Sequence, residues 1–133
     1  MATQLSEQLQ SADWKVEKHA PVIEAPSDVK AGETFEVKLT VGKEIPHPNT
    51  TEHHIRYISL YFKPDGEKFT YQVGHFEFTA HGESVPGPNQ GPVYTAFEVS
   101  AHMSIQKPGT LLAESYCNIH GLWQSSQSIG IAA

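Results

Sequence analysis

The strictest constraint on how this chain can fold is the alternation of apolar and polar residues at 34–41, where Phe35, Val37 and Leu39 share one face. A period of two residues is typical of a β-strand with one buried side. Similar segments, rich in β-branched and aromatic residues, predict strands at 53–62, 69–79, 93–100, 110–117 and 126–131. A turn at 63–67 joins the first two of these in a hairpin. Because no long helical period is present, we predict an all-β sandwich of seven antiparallel strands.

The length of the chain fits one domain. Its 133 residues contain no internal repeat, low-complexity segment or linker, so we expect a single domain over residues 1–133. Residues 1–12 have few apolar positions, and Leu5 and Leu9 predict no more than a short helical lead-in. A chain of this size buries about two thirds of its unfolded surface, which is enough for a core. We therefore expect any bound metal to serve function and not merely to hold the fold.

Charge and composition argue against several functions. The net charge is −6 and no cluster of Lys and Arg is present, which argues against binding to nucleic acid. No apolar stretch approaches the roughly 20 residues of a membrane helix. One cysteine excludes an internal disulfide, and no secretory leader is visible, so we expect a reducing cytoplasm.

The only cysteine lies three residues before a histidine, in the segment Tyr116-Cys117-Asn118-Ile119-His120-Gly121. A turn that ends at a glycine lets a thiolate and an imidazole face the same ion, so Cys117 and His120 predict a metal site. The alternative is that Cys117 is a small buried hydrophobic residue, the commoner role of a single cysteine. Further ligands decide between the two.

Three other histidines lie where backbone geometry restricts their side chains. Glu17 and His19 are two residues apart, so an extended backbone directs both to one side. His47 lies between two prolines, which favour an extended backbone around it, and His53 lies at the start of a predicted strand. The neighbouring His54 must face the opposite side of that strand. The remaining histidines lack these features and are interpreted as ordinary: His75, His81 and His102.

The candidate ligands are one thiolate, four imidazoles and one carboxylate, contributed by Cys117, His19, His47, His53, His120 and Glu17. Six positions exceed the four of a structural zinc site and favour iron. Two alternatives remain open from the residues alone. A blue-copper carrier also combines histidines with a Cys-x-x-His loop in a β-sandwich, although no methionine follows His120. The other is a binding module whose histidines are incidental.

Three segments of the chain resemble the ligand segments of superoxide reductase, specifically the one-iron type called neelaredoxin. In order and spacing they are Glu17-Lys18-His19-x-Pro21, His47-Pro48-Asn49-Thr50-Thr51-Glu52-His53-His54 and Cys117-Asn118-Ile119-His120-Gly121-Leu122-Trp123. The resemblance implies an immunoglobulin-like sandwich that holds one iron. It implies axial Cys117, a sixth position closed by Glu17 in the ferric state, and equatorial ligands at His19, His47, His53 and His120. The four-cysteine module of desulfoferrodoxin is not implied, since Cys117 is the only cysteine.

The same resemblance implies the reaction and the partners. Superoxide would accept one electron from ferrous iron and leave as hydrogen peroxide, without release of dioxygen. Lys18, otherwise an ordinary surface charge, would attract the superoxide anion and orient a water that donates a proton. Amides after Cys117 would donate hydrogen bonds to its sulfur, and Trp123 and Pro48 would wall the site, or Trp123 would simply pack in the core. The electron donor would be a protein such as rubredoxin, and the assembly a homotetramer.

Overall fold

The computed structural model describes residues 1–133 and contains eight strands and one short helix. In chain order the elements are α1 (Leu5–Gln8), β1 (Val22–Glu24), β2 (Asp28–Val29), β3 (Phe35–Thr40), β4 (Ile55–Pro64), β5 (Tyr71–Glu77), β6 (Glu98–Met103), β7 (Gly109–Cys117) and β8 (Gly121–Ile131). The strands form a three-stranded sheet in the order β1-β3-β6 and a five-stranded sheet in the order β2-β8-β7-β4-β5. The predicted all-β sandwich is confirmed. No helix has the length and hydrophobicity needed to cross a bilayer.

The core lies between the two sheets and follows the alternation seen in the sequence. On β3 the side chains of Phe35, Val37 and Leu39 are buried, whereas the residues between them face outward. They belong to a cluster of 16 buried residues that also includes Leu60 of β4 and Leu111 of β7. Each large apolar side chain buried in this way stabilises the fold by roughly 1.5–3 kcal/mol relative to an exposed one. The sandwich therefore has a core that does not depend on a metal.

The strand count differs from the prediction because one very short strand pairs in parallel. The sequence predicts seven strands, all antiparallel, whereas β2 adds a two-residue pairing in which Asp28 lies opposite Gly130 and Val29 opposite Ile131. The predicted hairpin is confirmed, since β4 and β5 pair antiparallel with Phe62 opposite Tyr71. Its ladder contains a register shift between Leu60 and Tyr61.

Two strands begin about five residues away from their predicted starts. Residues 93–97 do not form a continuous ladder, because the carbonyl of Val93 and the N–H of Thr95 bond to Gly82 and Ala80 instead, and the strand begins only at Glu98. The second of these strands, β8, begins at Gly121 and not at residue 126, because it pairs with β7 directly after a tight turn. This early start matters for the site, since it brings Cys117 and Gly121 opposite each other.

One end of the five-stranded sheet gathers the segments that carry the candidate ligands. Here β4 begins and β7 ends, with Ile55 paired to Cys117. The chain before β1 is tied to the same end, because the hydroxyl of Ser115 on β7 donates to the carbonyl oxygen of His19 at 3.1 Å. The loop before β4 supplies the remaining histidines. Residues far apart in sequence therefore meet at one end of the sandwich.

Candidate metal centre

The turn between β7 and β8 holds the thiol and one imidazole. Gly121 has a φ of +82°, a left-handed conformation that glycine adopts without strain. The backbone N–H of His120 donates to Sγ of Cys117 at 3.3 Å, and Nδ1 of His120 lies 3.8 Å from the same sulfur. The predicted donation from an amide after Cys117 to its sulfur is confirmed. The turn therefore presents both ligand atoms to one point.

Four of the candidate ligands converge with their donor atoms within 4.8 Å of one another: His19, His53, Cys117 and His120. His47 adjoins this group, since its ring centroid lies 4.8 Å from that of His19 and 4.8 Å from that of His53. All four imidazoles named by the sequence thus lie together, and three of them have a donor atom near the thiol. A set of nitrogen donors with one sulfur suits a transition metal.

Two of these rings each have a buried nitrogen without a partner. Nδ1 of His47 donates to the carbonyl oxygen of Pro48 at 2.7 Å, and its Nε2 is buried without a partner. Nε2 of His53 is also buried without a partner. Nε2 of His19 lies only 3.2 Å from Nδ1 of His120. A buried polar atom without a partner costs about 1–3 kcal/mol, and a bound metal ion would satisfy these lone pairs, so the residues fit a metal.

Burial keeps two of the imidazoles in the form that binds metal. Removal from water lowers the pKa of His47 to about 4 and also lowers the pKa of His53. The positive charge of Lys18 acts in the same direction on the pKa of both rings, as one of the smaller causes. At neutral pH both imidazoles are therefore neutral and keep a lone pair for an ion.

Exposure differs sharply across the cluster. Cys117 has 0% of its surface exposed, and His19 and His47 have 6% and 8%. His53 is half-buried, whereas His120 is exposed. The sulfur therefore lies on the protein side of the cluster, and a small molecule can approach from the side of His120.

The sixth residue named by the sequence, Glu17, lies beside the cluster and not within it. Its Oε1 lies 2.7 Å from Nδ1 of His19, and its Oε2 accepts a hydrogen bond from the backbone N–H of His19 at 3.1 Å. The carboxylate therefore faces the outer nitrogen of the His19 ring. A contact of this kind fixes the tautomer of a metal-binding histidine and leaves the inner nitrogen free.

The remaining histidines stay outside the cluster. His54 is buried and stacks on His81, with ring centroids 3.5 Å apart and the planes 5° from parallel. His75 contacts Ser59 and Glu77 on the five-stranded sheet, and His102 lies near Glu36 on the three-stranded sheet. The interpretation of these four residues as other than ligands agrees with their positions.

Two residues that the sequence did not single out support the site. The side chain of Asn118 accepts from the backbone N–H of His54 at 2.9 Å and donates to the carbonyl oxygen of Glu52 at 2.8 Å, which ties the His53 segment to the Cys117 turn. Gly42 passes so close to His47 that an added Cβ would lie 2.7 Å from the His47 backbone nitrogen. An Asn inside a Cys-x-x-His turn was a readable signal, whereas nothing local marks Gly42.

The family of the chain follows from its match to a known family model. The model of the family named desulfoferrodoxin matches residues 11–126. The chain belongs to the desulfoferrodoxin family. Within the desulfoferrodoxin family, the neelaredoxin of Megalodesulfovibrio gigas is 57% identical over 127 residues, covering 96% of this chain and 98% of that protein. The superoxide reductase of Pyrococcus furiosus is 59% identical over 125 residues, covering 94% and 98%.

A solved structure supports the same conclusion for the fold. The crystal structure of the desulfoferrodoxin-family relative from Thermotoga maritima matches with a TM-score of 0.97 at 55% identity, covering 99% of this chain and 100% of that chain. Four imidazoles beside a single thiol also differ from the two-histidine, one-cysteine set of blue-copper sites. Both this ligand set and membership in the desulfoferrodoxin family argue against the copper alternative.

Proposed function

We propose that this chain binds one iron at His19, His47, His53, Cys117 and His120 and reduces superoxide to hydrogen peroxide. The proposal is carried by two buried imidazole nitrogens, Nε2 of His47 and Nε2 of His53, which have no partner and lie beside a buried thiol. Relatives with the names superoxide reductase and neelaredoxin support the same activity. Residues 1–133 would act as a single iron-binding domain with a lead-in at 1–12.

The ligand set would tune the metal for one-electron chemistry. Bound iron would supply one electron and alternate between the ferrous and ferric states. Cys117 would contribute the only negative charge among the five ligands, because the imidazoles bind as neutral groups. The N–H of His120 donates to that sulfur at 3.3 Å and withdraws part of its charge, which is how a protein adjusts a metal thiolate.

Lys18 would serve as the positive group that receives the substrate. Its charge lowers the pKa of both His47 and His53, which supports a place for Lys18 near the cluster. Superoxide is an anion, and a local cation attracts it even in a protein whose net charge is −6. Charges beyond about 8 Å are largely screened at physiological ionic strength, so the local ammonium group decides. The same group would orient a water that donates a proton to the product.

Glu17 would close the sixth position of ferric iron. In the structure its carboxylate holds the backbone N–H and Nδ1 of His19. Ligation therefore requires Glu17 to leave His19 first. With Glu17 on His19, as described here, the metal site would remain open, and a rotated Glu17 would close it.

The partners follow from the resemblance to one-iron superoxide reductases. Cys117 is the only cysteine, and one mononuclear centre needs an external electron donor, for which a rubredoxin-type protein is proposed. A homotetramer is proposed on the same ground. A cytoplasmic location is consistent with one free cysteine and no disulfide.

The decisive experiment measures metal content and stoichiometry on anaerobically reduced protein. We expect about one iron per chain, loss of that iron in Cys117→Ser, and peroxide without dioxygen when superoxide is consumed. His102→Gln provides a matched control, because His102 is an exposed histidine outside the cluster. About one half dioxygen per superoxide, the stoichiometry of dismutation, would contradict the reductase activity. A metal-free protein with unchanged stability would favour the binding-module alternative.

A further inference from the structure

One aromatic side chain that is not a ligand contacts the imidazole of His19 and the backbone of His120. The indole of Trp123 stacks on His19, with ring centroids 5.0 Å apart and planes 16° from parallel. Its Nε1–H also donates to the carbonyl oxygen of His120 at 3.2 Å. A flat stack restricts rotation of the imidazole about its own axis, and that rotation sets where the lone pair of Nε2 points.

The backbone of Trp123 is held on both sides. It follows the first two residues of β8, where it pairs with Ser115 of β7. On the opposite edge the amino-terminal segment forms an isolated bridge, in which Gln10 donates to the Leu122 carbonyl at 3.0 Å and accepts from the Gln124 N–H at 2.8 Å. The indole is therefore mounted on a strand with neighbours on each side. It can act as a fixed platform for the His19 ring.

One of the other constraints on the His19 ring, the contact with Glu17, would be lost in the proposed cycle. Its ring contacts are with three other candidate ligands, His47, His53 and His120, with Glu17, and with Trp123. In the proposed cycle Glu17 leaves Nδ1 of His19 when it closes the sixth position. Among these residues, Trp123 is then the one that is neither a candidate metal ligand nor about to become one.

We infer that Trp123 is a positioning residue that keeps the imidazole of His19 aligned with the metal, and the backbone of His120 in place, while Glu17 moves away. This inference rests on the proposed function, because it needs a metal at the cluster and a mobile Glu17. It differs from a packing explanation in one respect. Packing alone predicts lost stability, whereas positioning predicts a changed metal centre.

The first test compares two substitutions at this position. Trp123→Phe keeps an aromatic face over His19 but loses the N–H donor, and Trp123→Leu loses both. We expect Trp123→Leu to bind iron about tenfold more weakly, as for other groups that orient metal ligands, and to shift the thiolate-to-iron absorption of the ferric protein. Trp123→Phe should recover most of the affinity. Trp14→Phe is the matched control, because Trp14 contacts Lys15 and Lys43 and no ligand ring.

A second test uses the emission of the indole and needs no turnover. In Trp14→Phe the only remaining tryptophan is Trp123, since the chain has two. Zn²⁺, which binds nitrogen and sulfur ligands without redox chemistry, should change this emission in step with its occupancy measured by native mass spectrometry. In Trp123→Phe the emission of Trp14 should not respond.

The outcomes separate this inference from the proposed function. Wild-type protein that binds neither iron nor Zn²⁺ would overturn the proposed function and the inference with it. Wild-type protein that binds iron and reduces superoxide, beside a Trp123→Leu variant with unchanged affinity and ferric absorption, would overturn the inference alone. A Trp123→Leu variant that loses only stability of the metal-free form would do the same.

Discussion

Glu17 holds His19 by two hydrogen bonds, one from Nδ1 to Oε1 at 2.7 Å and one from the backbone N–H to Oε2 at 3.1 Å. The first bond places the proton on the outer nitrogen and leaves Nε2 as the metal donor. A carboxylate with both oxygens engaged in this way cannot reach an ion at the centre. Glu17 therefore cannot orient His19 and close the sixth position at the same time.

Substitution of Glu17 separates these tasks. Glu17→Ala removes both, so iron affinity measured against a chelator should fall about tenfold, the ferric absorption should change, and the superoxide step of loaded protein should remain nearly intact. Glu17→Gln keeps an acceptor oxygen for Nδ1 and should bind iron almost as wild type does. Glu36→Ala, at an exposed site on β3, is the control. Equal affinities of wild type and Glu17→Ala would show that the contact with His19 does not orient a ligand.

Removal of the charge of Lys18 should slow substrate capture. Because attraction of an anion accelerates association by about tenfold or more, Lys18→Ala should lower the second-order rate constant by a similar factor and flatten its dependence on salt. Stopped-flow or pulse radiolysis measures this rate. Lys68→Ala removes the same charge from the loop between β4 and β5, at the opposite end of the sheet. A Lys18→Ala rate equal to that of Lys68→Ala would remove Lys18 from the mechanism.

Gly42 should prove essential for the position of His47. With a φ of +86°, an alanine there is strained by about 1–2 kcal/mol, and its Cβ would also lie 2.7 Å from the His47 nitrogen. Gly66 has a similar φ of +75° with nothing within 4 Å of an added Cβ. Gly66→Ala should therefore lose stability only, whereas Gly42→Ala should lose more stability and also iron affinity. Equal iron binding by the two variants would contradict the assignment.

The metal-free protein should become less stable in mild acid. Burial lowers the pKa of His47 from 6.5 in the unfolded chain to about 4 in the folded one, so between these values the unfolded chain binds more protons. Stability is thus full above the unfolded value and declines as pH falls toward 4. His53 and His81, whose pKa values burial also lowers, add to this slope.

Urea unfolding of the metal-free protein at several pH values between about 7.5 and 5 measures this loss. His47→Gln should show a shallower decline, and His102→Gln, at an exposed position, should match wild type. The carboxyl groups of Glu52 and Glu83, whose pKa values hydrogen bonds lower, affect stability only in stronger acid. A free energy of unfolding that is constant over this range would contradict the prediction.

The local sequence pattern predicted the regular strands. It failed where a segment is a strand only because a partner distant in sequence pairs with it. The alternation correctly predicted β3, Phe35–Thr40, because its apolar residues face the core and its polar residues face outward. The early part of β8 contains Leu122, Trp123 and then polar residues, with no alternation to read. It is a strand because the turn after Cys117 brings it against β7. The two-residue β2 depends in the same way on its partner.

The candidate ligands were predictable because metal-binding residue types are few in this chain. One cysteine and backbone-restricted histidines sufficed to name the members of the cluster. The position of Glu17 was not predictable, because the same spacing allows its carboxylate to face the ion or the outer nitrogen of His19. Asn118 itself was readable, but its partners His54 and Glu52 lie more than 60 residues away, and no local pattern marks the close approach of Gly42 to His47.

The complete burial of Cys117 has a consequence for the survival of the protein. Hydrogen peroxide oxidises exposed thiolates to sulfenic acid and then irreversibly to higher acids, and the proposed reaction makes peroxide beside the only sulfur ligand. Cys117 has no exposed surface, whereas the opening of the site lies at His120. The product would therefore depart on the side of the exposed His120. The geometry that would expose a bound metal to superoxide would also shield the thiolate from oxidation by the peroxide product.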